Sequence, residues 1–101
     1  MGGRRIRRSP KDVEALIEGL GERGLLQIGL RLCTSYGVRL DDVLYGRGSV
    51  RVVRARDALA HALLGKGFST VEAGMLLGMH HTSIIAARNR YEKRDMGRLL
   101  T

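Results

Sequence analysis

Apolar residues recur at three- and four-residue spacings along most of this chain, and glycine interrupts each run. Val13, Leu16, Ile17 and Leu20 stand at i, i+3, i+4 and i+7, and Leu25, Ile28, Leu32 and Tyr36 mark a second run. Such spacing lines one side of a helix, and nowhere does the alternation of a half-buried strand compete with it. The expected fold class is therefore all-α. With 101 residues there is room for one modest core. Phe68 and three tyrosines are the only aromatic residues, so that core must be made from Leu, Ile, Val, Met and Ala.

Local signals divide the chain into five to six helices. Ser9 and Pro10 offer an N-cap and a first helical residue, with Asp12 three positions after the serine. Gly21 and Gly24 are expected to end that helix, and Gly37 to cap the second in a left-handed conformation. Leu40, Val43 and Leu44 give one short helical turn before Tyr45-Gly46-Arg47-Gly48-Ser49, which reads as an exposed loop. From about Val50 a longer helix turns Val52, Ala55, Leu59, Ala62 and Leu63 inward, and Gly65 and Gly67 stop it. Ser69 and Glu72 form a capping box opening a helix with Val71, Ala73, Met75, Leu76 and Leu77, closed by Gly78. A last helix runs from about His81 to Arg94, with Ile84, Ala87, Arg88 and Tyr91 on one side. Met75, Met79 and Tyr91 are expected in the core.

Charge is distributed unevenly. Eighteen Lys and Arg, fifteen of them arginine, face ten acids, for a net charge of +8. Residues 11–45 carry four cations and six acids, a balance of −2, whereas residues 46–66 carry five cations and one acid, a balance of +4. Arginine dominance favours planar, bidentate contacts with phosphate or guanine. Cations at the start of a helix oppose its dipole, so the cluster Arg47, Arg51, Arg54 and Arg56 is better explained by a bound polyanion. Arg4, Arg5, Arg7 and Arg8 form a basic arm, either an unspecific phosphate tether or a plain tail. Cys33 is the sole cysteine, which excludes an intrachain disulfide and suits a reducing compartment. No apolar run approaches the ~20 residues of a membrane span, and none follows the basic arm as in a signal peptide. A cytoplasmic protein without a membrane partner is expected.

Residues 69–91 have the spacing of a helix-turn-helix. Ala73-Gly74 would let the two helices cross closely, Gly78 would make the turn, and Ile84 would anchor the second helix. That helix and the residue before it would present His80, His81, Thr82, Ser83 and Ala86 to a major groove, together with Ile85 and Asn89. His80 and His81 could alternatively be metal ligands, but their only companions are His61 and Cys33, at no recognisable motif spacing. No Ser/His/Asp or paired-carboxylate constellation stands out either. Neither metal, cofactor nor catalysis is expected.

His81-Thr82-Ser83-Ile84-Ile85-Ala86-Ala87 resembles the Asp-His-Thr-Thr signature of the C-terminal DNA-binding domain of the bacterial replication initiator DnaA. Upstream, Tyr36-Gly37-Val38, Leu40-Asp41-Asp42-Val43-Leu44 and the segment from Arg47 to Arg56 look like that domain's first helix end, short second helix and basic loop. Residues 25–93 are covered. The resemblance implies double-stranded DNA binding, associated with the nucleoid. Arg47 and Arg51 would reach backbone and minor groove, with Thr82 and Ser83 near base edges. Arg54, Arg56, Lys66, Arg88 and Arg90 would be phosphate contacts or loop supports. The chain departs from the family at four places: His80 replaces the aspartate, the turn is one residue shorter, Ser83 replaces a threonine, and Asn89 an arginine. It also lacks a G-x-x-x-x-G-K-[ST] motif, so no ATP-driven step is implied.

These signals divide the chain into a basic arm (1–9), an N-terminal helix (10–24), a DNA-binding domain (25–95) and a tail (96–101). The N-terminal helix either covers the domain or meets a protein partner. A rival from another class is a protein-interaction module with an initiator-like fold but no DNA reading. RNA binding is disfavoured because the aromatic stacking platforms for single strands are missing.

Overall fold

The computed structural model describes residues 9–46 and 48–96, apart from the side chains of residues 95 and 96. Among them the protein is all-helical, with α1 (Pro10–Glu22), α2 (Leu26–Ser35), α3 (Leu40–Tyr45), α4 (Val50–Gly65), α5 (Thr70–Leu77) and α6 (His81–Tyr91). A single π-helical turn, Glu92–Met96, extends α6.

Short polar side chains set the helix starts. The Ser9 hydroxyl accepts the Asp12 amide (3.2 Å) while the Asp12 carboxylate accepts the Ser9 amide (3.1 Å). The same reciprocal box joins Ser69 and Glu72, at 3.1 and 2.9 Å. Each box satisfies two amides that have no partner inside the helix. Hydrogen bonds donated to the Glu72 carboxylate, by the Ser69 amide first and by the Ser69 side chain second, hold that carboxyl below its ordinary pKa. This contribution is therefore complete above the ordinary carboxylate range and is lost as pH falls through the lowered value. Ser49 caps α4 by accepting the Val52 amide at 3.3 Å.

One core joins all six helices. Val13 and Leu20 of α1, Cys33 of α2, Leu40, Val43 and Leu44 of α3, Leu59 and Leu63 of α4, Leu77 of α5 and Ile84 of α6 are buried together. The N-terminal helix thus covers the domain and shares its core. Helix α4 is central, packing on α2, α3, α5 and α6. Ala55, Ala58 and Ala60 lie on its buried surface, where small side chains let neighbours approach from several directions. Such a helix cannot be described by one inward stripe. Asp57 is accordingly buried as well, while Ala62 is only half-buried.

Other differences from the sequence reading are local. Gly21 lies inside α1, and it is Gly24, at φ +70°, that turns the chain. Around α2 the buried positions are its N-cap Leu25, Gly29 and Cys33, with Ile28, Leu32 and the C-cap Tyr36 packed at the margin. The Leu40 side chain packs beside Gly29, 3.6 Å from where a Cβ would be. Met75, expected in the core, is 74% exposed, and Val71 is 55% exposed. In the eight-residue α5 the inward face is narrow, Ala73, Gly74 and Leu77, and Met75 falls outside it. Met79 packs against the core, and Tyr91 is half-buried.

Candidate nucleic-acid interface

The turn between α5 and α6 spans only Gly78, Met79 and His80. Gly78 ends α5 with φ +69°, a conformation that favours glycine. Its amide and that of Met79 both return to the Gly74 carbonyl, the latter at 2.7 Å. A Cβ on Gly74 would stand 2.5 Å from the Met79 carbonyl oxygen and 3.5 Å from the His81 amide nitrogen. Glycine at position 74 is therefore required by contact with backbone, which cannot swing aside as a side chain could. This close approach fixes where α6 begins.

His80 is the N-cap of α6. Its Nδ1 accepts the Thr82 amide at 3.2 Å and lies 2.8 Å from the Thr82 hydroxyl. An imidazole thus does what an aspartate commonly does at this place. Since Nδ1 is the acceptor, the ring proton belongs on Nε2. The His81 ring stacks on His80 with centroids 4.3 Å apart. Within α6, Ile84 and Ala87 are fully buried, whereas His81, Thr82 and Ser83 are exposed and Ala86 is half-buried. The anchoring face and the outward face are thereby separated. Asn89 is exposed and its carbonyl oxygen accepts from the Arg88 guanidinium at 3.3 and 3.4 Å.

The basic residues differ in their surroundings. Arg51 and Arg54, in the first turns of α4, are exposed, and the Arg51 guanidinium reaches the α2–α3 turn, 3.6 Å from where a Cβ of Gly37 would be. No acid occupies that first turn of α4. Lys66 is the exposed C-cap of α4, where a cation also complements the helix dipole. Arg56 is half-buried. Arg90, expected as a phosphate contact, is tied to Asp57 by two bonds, Nε to Oδ2 at 3.1 Å and Nη2 to Oδ1 at 2.9 Å. These bonds raise its pKa. Arg4, Arg5, Arg7, Arg8 and Arg47 lie outside the described residues.

The sequence reading missed Asp57, which lies off the inward stripe of α4, and the second cation beside it. Arg94 Nη2 lies 3.6 Å from the Asp57 carboxylate. A neighbouring latch joins the same helices: His61 stacks on Tyr91 (centroids 4.4 Å apart) and its Nε2 lies 3.8 Å from the Glu92 carboxylate. One lone acid among the cations of residues 46–66 was the available signal. Among the described residues no group of three His, Cys, Asp or Glu side chains is placed to hold a metal ion, and no helix is long and apolar enough to cross a membrane.

No protein-family model, curated protein or solved structure matches the chain.

Proposed function

We propose that the protein binds double-stranded DNA, with α6 in the major groove and the basic start of α4 on the backbone or in the minor groove. The observation that carries this reading is the α5–α6 turn. Gly74 brings α6 so close that its first turn projects His81, Thr82 and Ser83 while Ile84 and Ala87 hold it to the core. A hydroxyl or imidazole there meets base edges or phosphate oxygens. Arg51, Arg54, Arg88 and Lys66 supply phosphate contacts, Arg56 supports them, and Arg47 and the arm Arg4–Arg8 add further cations. His80 changes the base preference relative to an aspartate. With Nδ1 engaged in the cap, it offers an Nε2–H donor, suited to purine N7 or guanine O6, in place of an acceptor for amino groups. The resemblance to the DnaA DNA-binding domain supports the same arrangement and suggests a role in replication, transcription control or mobile-element biology.

Binding of labelled duplexes across a salt series tests the reading. If about five phosphates are neutralised, log K falls with log salt at a slope near −4.5. Arg51→Ala weakens every duplex alike, whereas Thr82→Ala chiefly narrows the gap between a selected and a random sequence. Affinity independent of salt would end the proposal, and equal losses on both duplexes for Thr82→Ala would remove α6 from the reading role.

A protein-interaction role is favoured by a different observation. Val71 and Met75, one turn apart on α5, are exposed beside a groove lined by Gly19, Glu22, Arg23 and Leu76. A protein partner captured by wild type but not by Met75→Glu, with no duplex bound by either, would support it in place of DNA reading.

A further inference from the structure

Asp57 is the one charged residue fully buried among the described residues. A buried carboxylate is tolerable only when paired and hydrogen-bonded, and the Arg90 guanidinium supplies both bonds. The Arg94 guanidinium stands on the same carboxylate at 3.6 Å. Two cations on one anion leave the cluster with a charge of +1 (two minus one). Glu92, between the two arginines in sequence, is turned to His61, its carboxylate 3.8 Å from Nε2. Arg54, one turn before Asp57, and Lys93, one turn after Arg90, are exposed and add to the surplus.

The geometry of Arg90 says where the surplus points. A guanidinium holds five donors in one plane. Nε and one Nη2 proton are spent on Asp57, so the other Nη2 proton and both Nη1 protons are directed away from the carboxylate. Asp57 is 0% exposed and the Arg90 side chain 49%. The unused edge therefore belongs to a half-exposed side chain and is held in a fixed plane by its two bonds to Asp57. A planar pair of donors of this kind matches two oxygens of a phosphate.

We propose that the Asp57–Arg90–Arg94 cluster, where α4 crosses α6, is a preorganised phosphate site of the DNA interface, in which Asp57 positions Arg90 and the outer edge of Arg90 binds one backbone phosphate. This inference rests on the duplex-binding reading above. Asp57 is a positioning residue that never touches the ligand. Its effect is to fix the guanidinium in advance and to lock α6 to α4 at the same point, so that groove reading and backbone clamping share one register.

The experiment is the salt dependence of binding to a labelled random-sequence duplex, with circular dichroism confirming that each variant is folded. Arg90→Ala makes the slope of log K against log salt shallower by about 0.9, the value for one lost phosphate. Arg90→Lys keeps the slope but binds about tenfold more weakly, since an ammonium cannot hold Asp57 by two parallel bonds and still present a fixed edge. Arg90→Ala leaves Asp57 buried with a poorer partner set and is liable to unfold. The pair Asp57→Leu with Arg90→Met avoids that, and its net charge equals that of the wild type. A shallower slope in this double variant therefore reports a lost contact and not a lost charge. A slope equal to wild type in folded Arg90→Ala or in the double variant overturns the phosphate site, and if Arg51→Ala still makes the slope shallower, duplex binding itself stands. Failure of the wild-type chain to bind any duplex overturns both.

Discussion

At the scale of single residues, Gly74 shows how a helix-breaking choice becomes obligatory. Alanine in its place would gain about 1 kcal/mol of helix propensity. Its Cβ would, however, stand 2.5 Å from the Met79 carbonyl oxygen, and overpacking of this kind costs about 1–3 kcal/mol or more when backbone must move. Gly74→Ala is therefore expected to destabilise the protein, read as a lower urea midpoint with unchanged slope. An increase in stability would mean that the turn relaxes freely. Glycine inside an otherwise regular helical pattern was readable as a sign of close approach. That His80 caps α6 through Nδ1 was not, because histidine is no favoured N-cap and only geometry shows which ring nitrogen faces the Thr82 amide.

At the scale of elements, α1 is the instructive case. Its stripe Val13, Leu16, Ile17 and Leu20 was legible from spacing alone, as were the N-cap at Ser9 and the capping box at Ser69, because all depend on neighbours within one or two turns. What the stripe would meet depends on residues far along the chain and could not be read. In the fold α1 packs on α2, α3 and α5, and Leu20 is completely buried. Arg23, just past its end, lies over the Phe68 ring at 6.0 Å, joining it to the loop between α4 and α5. Leu20→Ala should cost about 2–5 kcal/mol in equilibrium unfolding, the range for a buried leucine that leaves a cavity. A cost under about 0.5 kcal/mol would show that α1 is an appendage. The same dependence on distant partners hid Asp57: its bond to Arg90 crosses 33 positions of sequence, and no window of local pattern contains both.

At the scale of the whole molecule, the single thiol reports on the integrity of the core. Cys33 is buried, and burial pushes its pKa up to about 11. The thiolate is the reactive form, so the folded chain should resist alkylation near pH 8. Modification at the rate of an unfolded peptide would contradict the burial. The sign of the pH effect follows. Below the ordinary thiol pKa both states keep the proton and Cys33 contributes nothing to the pH dependence. Above it the unfolded chain ionises first, so stability declines as pH rises from about 9 toward 11.

The separation of faces on α6 has an evolutionary consequence. Ile84 and Ala87 carry the burden of folding, while Ser83 and Ala86 point to the surface side of the helix. Whatever surface the latter meet, they can be exchanged over generations without disturbing the interior. Selection can then vary that surface one position at a time, with the thermodynamic stability of the scaffold left as an independent variable.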